Sequence, residues 1–172
     1  MTERKHAIQI YTGDGKGKST ACFGLAMRAR GRDWRVRIVQ FMKLGDYGEL
    51  DSAGKLGIPV EQFGRKGFMK KGNPAEEDLA VARRGWERVL AIIASGECDL
   101  LIADELCTAV DFGLIPLDEV TGLLDSRPKL ELVLSGRNAN PELVKRADLV
   151  SEVLAIKHPF NEGLPAREGI EF

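Results

Sequence analysis

Apolar positions in this chain follow two rhythms: short runs of strand length, and longer stretches in which they return every three or four residues. Residues 7–11 (AIQIY), 34–41 (WRVRIVQF), 99–104 (DLLIAD), 130–134 (LELVL) and 149–156 (LVSEVLAI) have strand character. The run at 99–104 is apolar inside and bounded by acids, as expected of an interior parallel strand covered on both faces. Residues 34–41 place Val36, Ile38 and Gln40 on one side and Arg37, Val39 and Phe41 on the other. Residues 58–63 (IPVEQF) read as a short edge strand, because Pro59 has no donor for an interior ladder.

Helical spacing covers residues 18–30, closed by Gly31, and is strongest over 74–95, where Leu79, Ala82, Trp86, Val89, Leu90 and Ile93 share a face. Pro74 suits the first turn of that helix, Glu76, Glu77 and Asp78 suit the positive end of its dipole, and Gly96 stops it. Trp86 is expected in the core. Residues 47–56, 106–112, 116–124 and 141–147 are shorter helical segments. Residues 64–73 (GRKGFMKKGN) break every period and are either a solvated basic loop or a cover over an anionic or planar ligand, with Phe68 and Met69 as its apolar members. The stretch 157–172 is rich in Gly and Pro and irregular; His158, just before Pro159, reads as a structural turn residue. Alternation of strands and helices predicts a single α/β domain over residues 1–172, with a mainly parallel sheet, helices on both faces and ligands beyond the C-terminal strand ends.

Composition narrows the function. Apolar residues make up 44% of 172, enough for a substantial core, and 25 basic side chains against 26 acidic leave a net charge of −1. No global field recruits nucleic acid or an anionic membrane, so an anionic ligand must be met locally. The three cysteines are widely spaced, which fits neither a disulfide framework nor a thiolate metal site and implies a reducing compartment. A cytoplasmic protein is expected, since neither a signal peptide nor an apolar run of membrane-spanning length is present.

The local anion site is residues 12–20, TGDGKGKST, between the first strand and the first helix. Thr12, Gly13, Asp14, Gly15, Lys16, Gly17, Lys18, Ser19 and Thr20 form a phosphate-binding loop in which glycines let amides converge, Lys18 meets phosphoryl oxygens and the Ser19 hydroxyl is a ligand for Mg²⁺. The usual G-x-x-x-x-G-K-[ST] is altered, with Thr12 at its first glycine and Gly13 one place late. Asp104 and Glu105, directly after an apolar run, supply the second half of a nucleotide site, holding Mg²⁺ or orienting the reacting group from what should be a neighbouring strand end. Arg137, after the strand at 130–134, either reaches an anion or is an ordinary surface arginine.

These stretches, with VRIVQFMK and its following Gly45 and Glu49, IADELCTAVDFGLI, LVLSGRNANPELVKRADLVSEV and KHPFNEGLPAREGIEF, resemble the ATP:corrinoid adenosyltransferases of the BtuR/CobO/CobP type, in family order over nearly the whole chain. The resemblance implies a RecA-like P-loop fold, a homodimer, ATP as co-substrate, Mg²⁺ with Mn²⁺ as an alternative, and transfer of the 5′-deoxyadenosyl group to the Co(I) of a reduced corrinoid with release of triphosphate. It also implies a flavoprotein or flavin reductant. By resemblance, residues 12–20 hold triphosphate, Lys18, Glu105 and Arg137 are catalytic, Ser19, Asp104 and Glu105 hold the metal, and Phe68 lies under the corrin ring. Two departures stand out: Gly67-Phe68-Met69-Lys70 replaces a common Gly-Phe-Thr-Trp, and only six residues precede the first strand where many relatives have a longer segment. The rival readings are a P-loop ATPase and a nucleotide-dependent corrinoid-binding protein that transfers nothing.

Overall fold

Among the described residues six strands build one sheet in the order β3-β2-β4-β5-β1-β6, and every neighbouring pair is parallel. The strands are β1 (Ile8–Thr12), β2 (Val36–Phe41), β3 (Val60–Phe63), β4 (Leu100–Asp104), β5 (Glu131–Ser135) and β6 (Leu149–Glu152). The helices are α1 (Lys18–Arg30), α2 (Gly48–Lys55), α3 (Glu76–Ser95), α4 (Leu106–Asp111), α5 (Leu117–Asp125) and α6 (Pro141–Val144). This computed structural model describes residues 6–67, 71–159 and 163–172; Phe68, Met69 and Lys70 lie outside the described residues.

Successive strand side chains point to opposite faces, so the sheet feeds two cores. Leu100 and Ile102 join Val36, Ile38 and Val133 against Cys22, Ala26 and Ala29 of α1. Leu101 and Ala103 join Ile10, Val39, Phe41, Leu132 and Leu134 against Trp86, Val89 and Ile92 of α3, with α4 and α5 on the same side. All five residues of β4 are buried, as its apolar run requires of a central strand. Trp86 is 1% exposed, and its indole N–H donates to Glu119 Oε2 at 2.8 Å.

Several boundaries shift. Pro74 precedes α3 rather than opening it: the helix begins at Glu76, and Asp78 accepts from the Ala75 amide at 3.0 Å. The second strand starts at Val36, not at Trp34. The last strand ends at Glu152, opposite Thr12 where its partner β1 ends; the Val153 amide still donates to Thr12 O, while its carbonyl accepts from Gly15 in the loop. Edge placement of β3 agrees with Pro59 just before it.

Cys22, Cys98 and Cys107 are buried and unpaired. Burial pushes the Cys98 thiol up to about 11 and Cys107 up to about 12, and it raises Cys22 further. Thiolate is the reactive form, so the native protein is expected to resist iodoacetamide at pH 8 while the denatured chain is alkylated at all three positions. Mass spectrometry reads the difference, and rapid labelling of the native protein would contradict this burial. Among the described residues no helix is long and apolar enough to cross a membrane.

Candidate active site

The chain leaves β1 at Thr12 and turns through residues 13–17 into α1. Gly13 and Gly17 adopt φ of 100° and 125°, which side chains resist. A Cβ on Gly13 would stand 2.4 Å from the Val153 carbonyl oxygen, and one on Gly15 2.8 Å from the Leu154 carbonyl carbon. Gly13 and Gly15 therefore serve packing, because the segment after β6 presses on the back of the loop. Its bonds are Gly15 N–H to Val153 O and Val153 N–H to Thr12 O, both 2.8 Å. Gly13→Ala is expected to destabilise the fold by about 1–3 kcal/mol through backbone strain. Urea unfolding measures it; an unchanged midpoint would contradict the contact.

Gly17 caps α1 without a side chain, and the first turn holds no acid. The amides there have no side-chain partner, so the positive helix end is available to an anion. Lys18 is 7% exposed and donates to the carbonyls of Gly13 at 2.7 Å and Gly15 at 2.9 Å. Burial holds its pKa below the ordinary lysine value, against the upward pull of Glu105, Asp14 and Asp104. Lys16 turns away to the C-terminal tail, donating to Ile170 O at 3.0 Å and Glu171 Oε1 at 2.7 Å. Thr12 Oγ1 accepts from the Ala139 amide at 3.1 Å, and Thr20 is exposed.

Asp104 ends β4, but β4 does not neighbour β1: β5 lies between them. Contact is made instead by the first turn of α1, from which the Ser19 hydroxyl donates to Asp104 at 3.1 Å. From the intervening strand the Ser135 hydroxyl donates to Oδ1 at 2.5 Å. Gln40 Nε2 and Lys43 Nζ donate to Oδ2 at 3.0 and 2.9 Å. Asp104 is 0% exposed. Burial alone would raise its pKa, but the Lys43 charge and hydrogen bonds from Lys43, Ser135 and Gln40 outweigh burial and hold the carboxyl below its usual range. Lys43 is held above the ordinary lysine value although burial opposes its charge, because Asp104 faces it. The buried pair is ionised.

Two relays extend from this centre. Toward the β3 edge, Gln62 Nε2 donates to Gln40 Oε1 at 3.0 Å, and Gln62 Oε1 accepts from the Gly45 amide at 3.1 Å. On the other side Glu105 adopts a left-handed φ of 61°, an uncommon conformation for a non-glycine residue. Its amide donates to Ser135 Oγ at 3.0 Å and its carboxylate accepts from Thr108 Oγ1 at 2.6 Å. Thr108 Oγ1 accepts in turn from the Arg137 amide at 2.8 Å, tying Arg137 to the end of β4. The Arg137 guanidinium stands 3.9 Å from Asp14, with 60% of its side chain exposed at the mouth of the loop.

The structure thus brings Lys18, Ser19, Asp104, Glu105, Asp14 and Arg137 to one end of the sheet, turns Lys16 outward, and leaves Phe68 outside the described residues. Sequence reasoning missed Lys43, Gln62, Thr108 and Ser135 as site residues. The available signals were the amide of Gln40 within the mostly apolar end of β2 and a lysine two residues after that strand's last residue, Phe41. Ser19 and Asp104 already enclose one cation, the Lys43 ammonium, so their donor chemistry fits a positive ion. No three His, Cys, Asp or Glu side chains converge among the described residues; a divalent ion here would draw further ligands from phosphate and water, the ordinary habit of Mg²⁺. A separate groove of ≈ 420 Å³, lined by Arg30, Trp34, Arg37 and Pro59, lies at the opposite strand ends and lacks such convergence.

A glycine loop feeding an uncapped helix start, with a lysine across the loop and a buried carboxylate below, at the C-terminal edge of a parallel sheet, defines a P-loop nucleotide-binding protein. Residues 4–172 match the family described as ATP:corrinoid adenosyltransferase BtuR/CobO/CobP. The corrinoid adenosyltransferase of Escherichia coli K12 is 34% identical over 173 residues, 99% of this chain and 87% of that protein. Those of Pseudomonas aeruginosa and a Sinorhizobium species are 32% and 36% identical, each over 99% of this chain and over 85% and 82% of their own lengths. The chain belongs to the ATP:corrinoid adenosyltransferase family.

Proposed function

We propose that this enzyme transfers the 5′-deoxyadenosyl group of ATP to the Co(I) centre of a reduced corrinoid and releases inorganic triphosphate. The observation that carries the reading is the loop and α1 cradle with Lys18 across it, in a chain that matches the family over nearly its full length. Co(I) attacks C5′ with its electron pair and the C5′–O bond breaks. Cobalt is formally oxidised to Co(III) as the Co–C bond forms, and the bonding pair departs with triphosphate. The cobalt is itself the nucleophile, so the protein needs no serine, cysteine or general base. Its work is alignment and neutralisation of the departing negative charge.

Lys18 exchanges the carbonyls of Gly13 and Gly15 for phosphoryl oxygens. The α1 amides meet the same chain of phosphates, and Arg137 closes on it from the mouth of the loop. Glu105 and Thr108 keep Arg137 within reach. Ser19 and Asp104, with Glu105 near them, are the residues that would hold Mg²⁺ or Mn²⁺, which would add further charge neutralisation to the leaving group. Phe68 is the proposed corrin contact, on the strength of the family resemblance alone. A homodimer is supported by the exposed apolar side chains Leu149 and Val150 on edge strand β6, followed by Leu154 and Ile156. A cytoplasmic setting and a flavin-dependent source of Co(I) complete the proposal.

The test is product analysis under anaerobic conditions, with ATP and each chemically reduced corrinoid in turn. Triphosphate is expected only when reduced corrinoid is present. Orthophosphate release without corrinoid would favour the rival hydrolase.

A further inference from the structure

Lys43 occupies a position that a surface lysine after a strand has no reason to take. Its backbone is clamped. Met42, at φ 57°, bends the chain at the end of β2 and donates its amide to Phe63 O at 2.9 Å. Gly64 packs so closely on the bend that a Cβ there would stand 2.4 Å from the Lys43 nitrogen and 2.6 Å from its carbonyl oxygen. From this fixed point the side chain, 20% exposed, reaches inward until Nζ lies 2.9 Å from both Ser19 Oγ and Asp104 Oδ2. Those are two of the oxygens assigned above to the divalent cation. A second anion waits on the outer side: Glu49 Oε1, in the first turn of α2, is 3.9 Å from the same nitrogen.

We propose that Lys43 is a resident counter-ion of the metal cradle, seated between Ser19 and Asp104 while the divalent cation is away and transferred to Glu49 when the cation and nucleotide arrive. This rests on the metal part of the proposed function. A divalent ion brought to the carboxylate that already holds Lys43 meets the repulsion of that ammonium, and in a poorly screened site this offsets much of what the carboxylate returns. The built-in ammonium keeps Asp104 paired in the empty enzyme and sets a threshold that a free divalent ion does not pass. The triphosphate supplies the extra oxygens that tip the exchange. Glu49 gives the displaced ammonium a partner and keeps it beside the phosphates. The cradle is thereby selective for metal that arrives with nucleotide over metal alone.

The experiment is a Mn²⁺ titration of the nucleotide-free protein, read from the electron paramagnetic resonance of free Mn²⁺. Lys43→Met is expected to bind Mn²⁺ about tenfold or more tightly than the unaltered protein. Addition of Asp104→Asn to that variant should abolish the gain. Equal affinity in Lys43→Met and the unaltered protein would overturn the proposal. A second measurement needs no change in the buried pair: the Lys43 ammonium resonance is followed in ¹⁵N-lysine-labelled protein, assigned with Lys43→Arg. It should shift when Mg²⁺ and ATP are added together and change little with Mg²⁺ alone, and Glu49→Gln should weaken Mg²⁺-dependent ATP binding several-fold in calorimetry. If calorimetry shows Mg²⁺-dependent ATP binding while the Lys43 resonance stays in place, the exchange is wrong and the metal assignment stands. If ATP binding is indifferent to Mg²⁺, the metal assignment and the exchange both fall.

Discussion

Lys18→Ala is expected to lower kcat/KM for ATP by about tenfold or more, with the larger share in kcat. The side chain has two tasks in this structure. It crosses the loop to the carbonyls of Gly13 and Gly15, holding the glycine turn open, and it is the buried cation closest to the phosphate cradle. On the proposed mechanism this ammonium should meet the charge that develops on triphosphate as the C5′–O bond breaks more strongly than it meets the ground-state charge. Binding of ATP should therefore weaken less than turnover. Steady-state kinetics at saturating reduced corrinoid separate the two. A variant that lost affinity for ATP yet kept full kcat would show that Lys18 holds the nucleotide without assisting departure of the leaving group.

Asp104→Ala is expected to cost about 3–5 kcal/mol of folding stability, because it leaves the buried Gln40 and Ser135 side chains without their acceptor and takes from the Lys43 ammonium its nearest anion. Ser19, Gln40, Lys43 and Ser135 all donate to this one carboxylate, and the buried Gln40 and Ser135 have no solvent to replace it. Such a loss is a large part of the ordinary stability of a single domain. Urea unfolding of the unaltered protein and the variant measures it. Restoring the balance by removing Lys43 in the same chain should recover part of the loss, since the ammonium no longer lacks a counter-charge. A variant as stable as the parent would mean that water reaches the strand ends and that the network is looser than drawn.

The fold was legible because each element carries its own punctuation. The unbroken apolar run at β4 marked a central strand, Pro59 marked an edge, Gly31 and Gly96 marked helix ends, and the spacing through Trp86 marked a buried helix face. Boundaries went astray where a tertiary contact outbid the local pattern. Residues 153–156 are apolar enough for strand, yet the partner strand β1 ends at Thr12 and the Val153 carbonyl accepts from Gly15 in the loop. The loop and the Asp104-Glu105 pair were legible as chemistry, but their geometry was not. They sit across an intervening strand, and Ser135 fills the space between them. Polar residues at strand ends were the least legible part. Gln40 and Lys43 come from β2 and the turn after it, far in sequence from Asp104, Gln62 of β3 touches that carboxylate only through Gln40, and the order of the sheet is what reveals that they meet. Asp104 and Glu105, adjacent in sequence, have separate roles: one is locked in a buried pair and the other is turned by a left-handed backbone toward Thr108 and Arg137.

The central claim is that the bond broken lies between C5′ and the triphosphate oxygen. ATP labelled with ¹³C at C5′ tests it most directly, in an anaerobic reaction with reduced corrinoid followed by ¹³C and ³¹P resonance. The label should move into the corrinoid, bonded to cobalt, with one intact triphosphate released for each label transferred. A label that remained in adenosine nucleotide while orthophosphate accumulated would contradict the account.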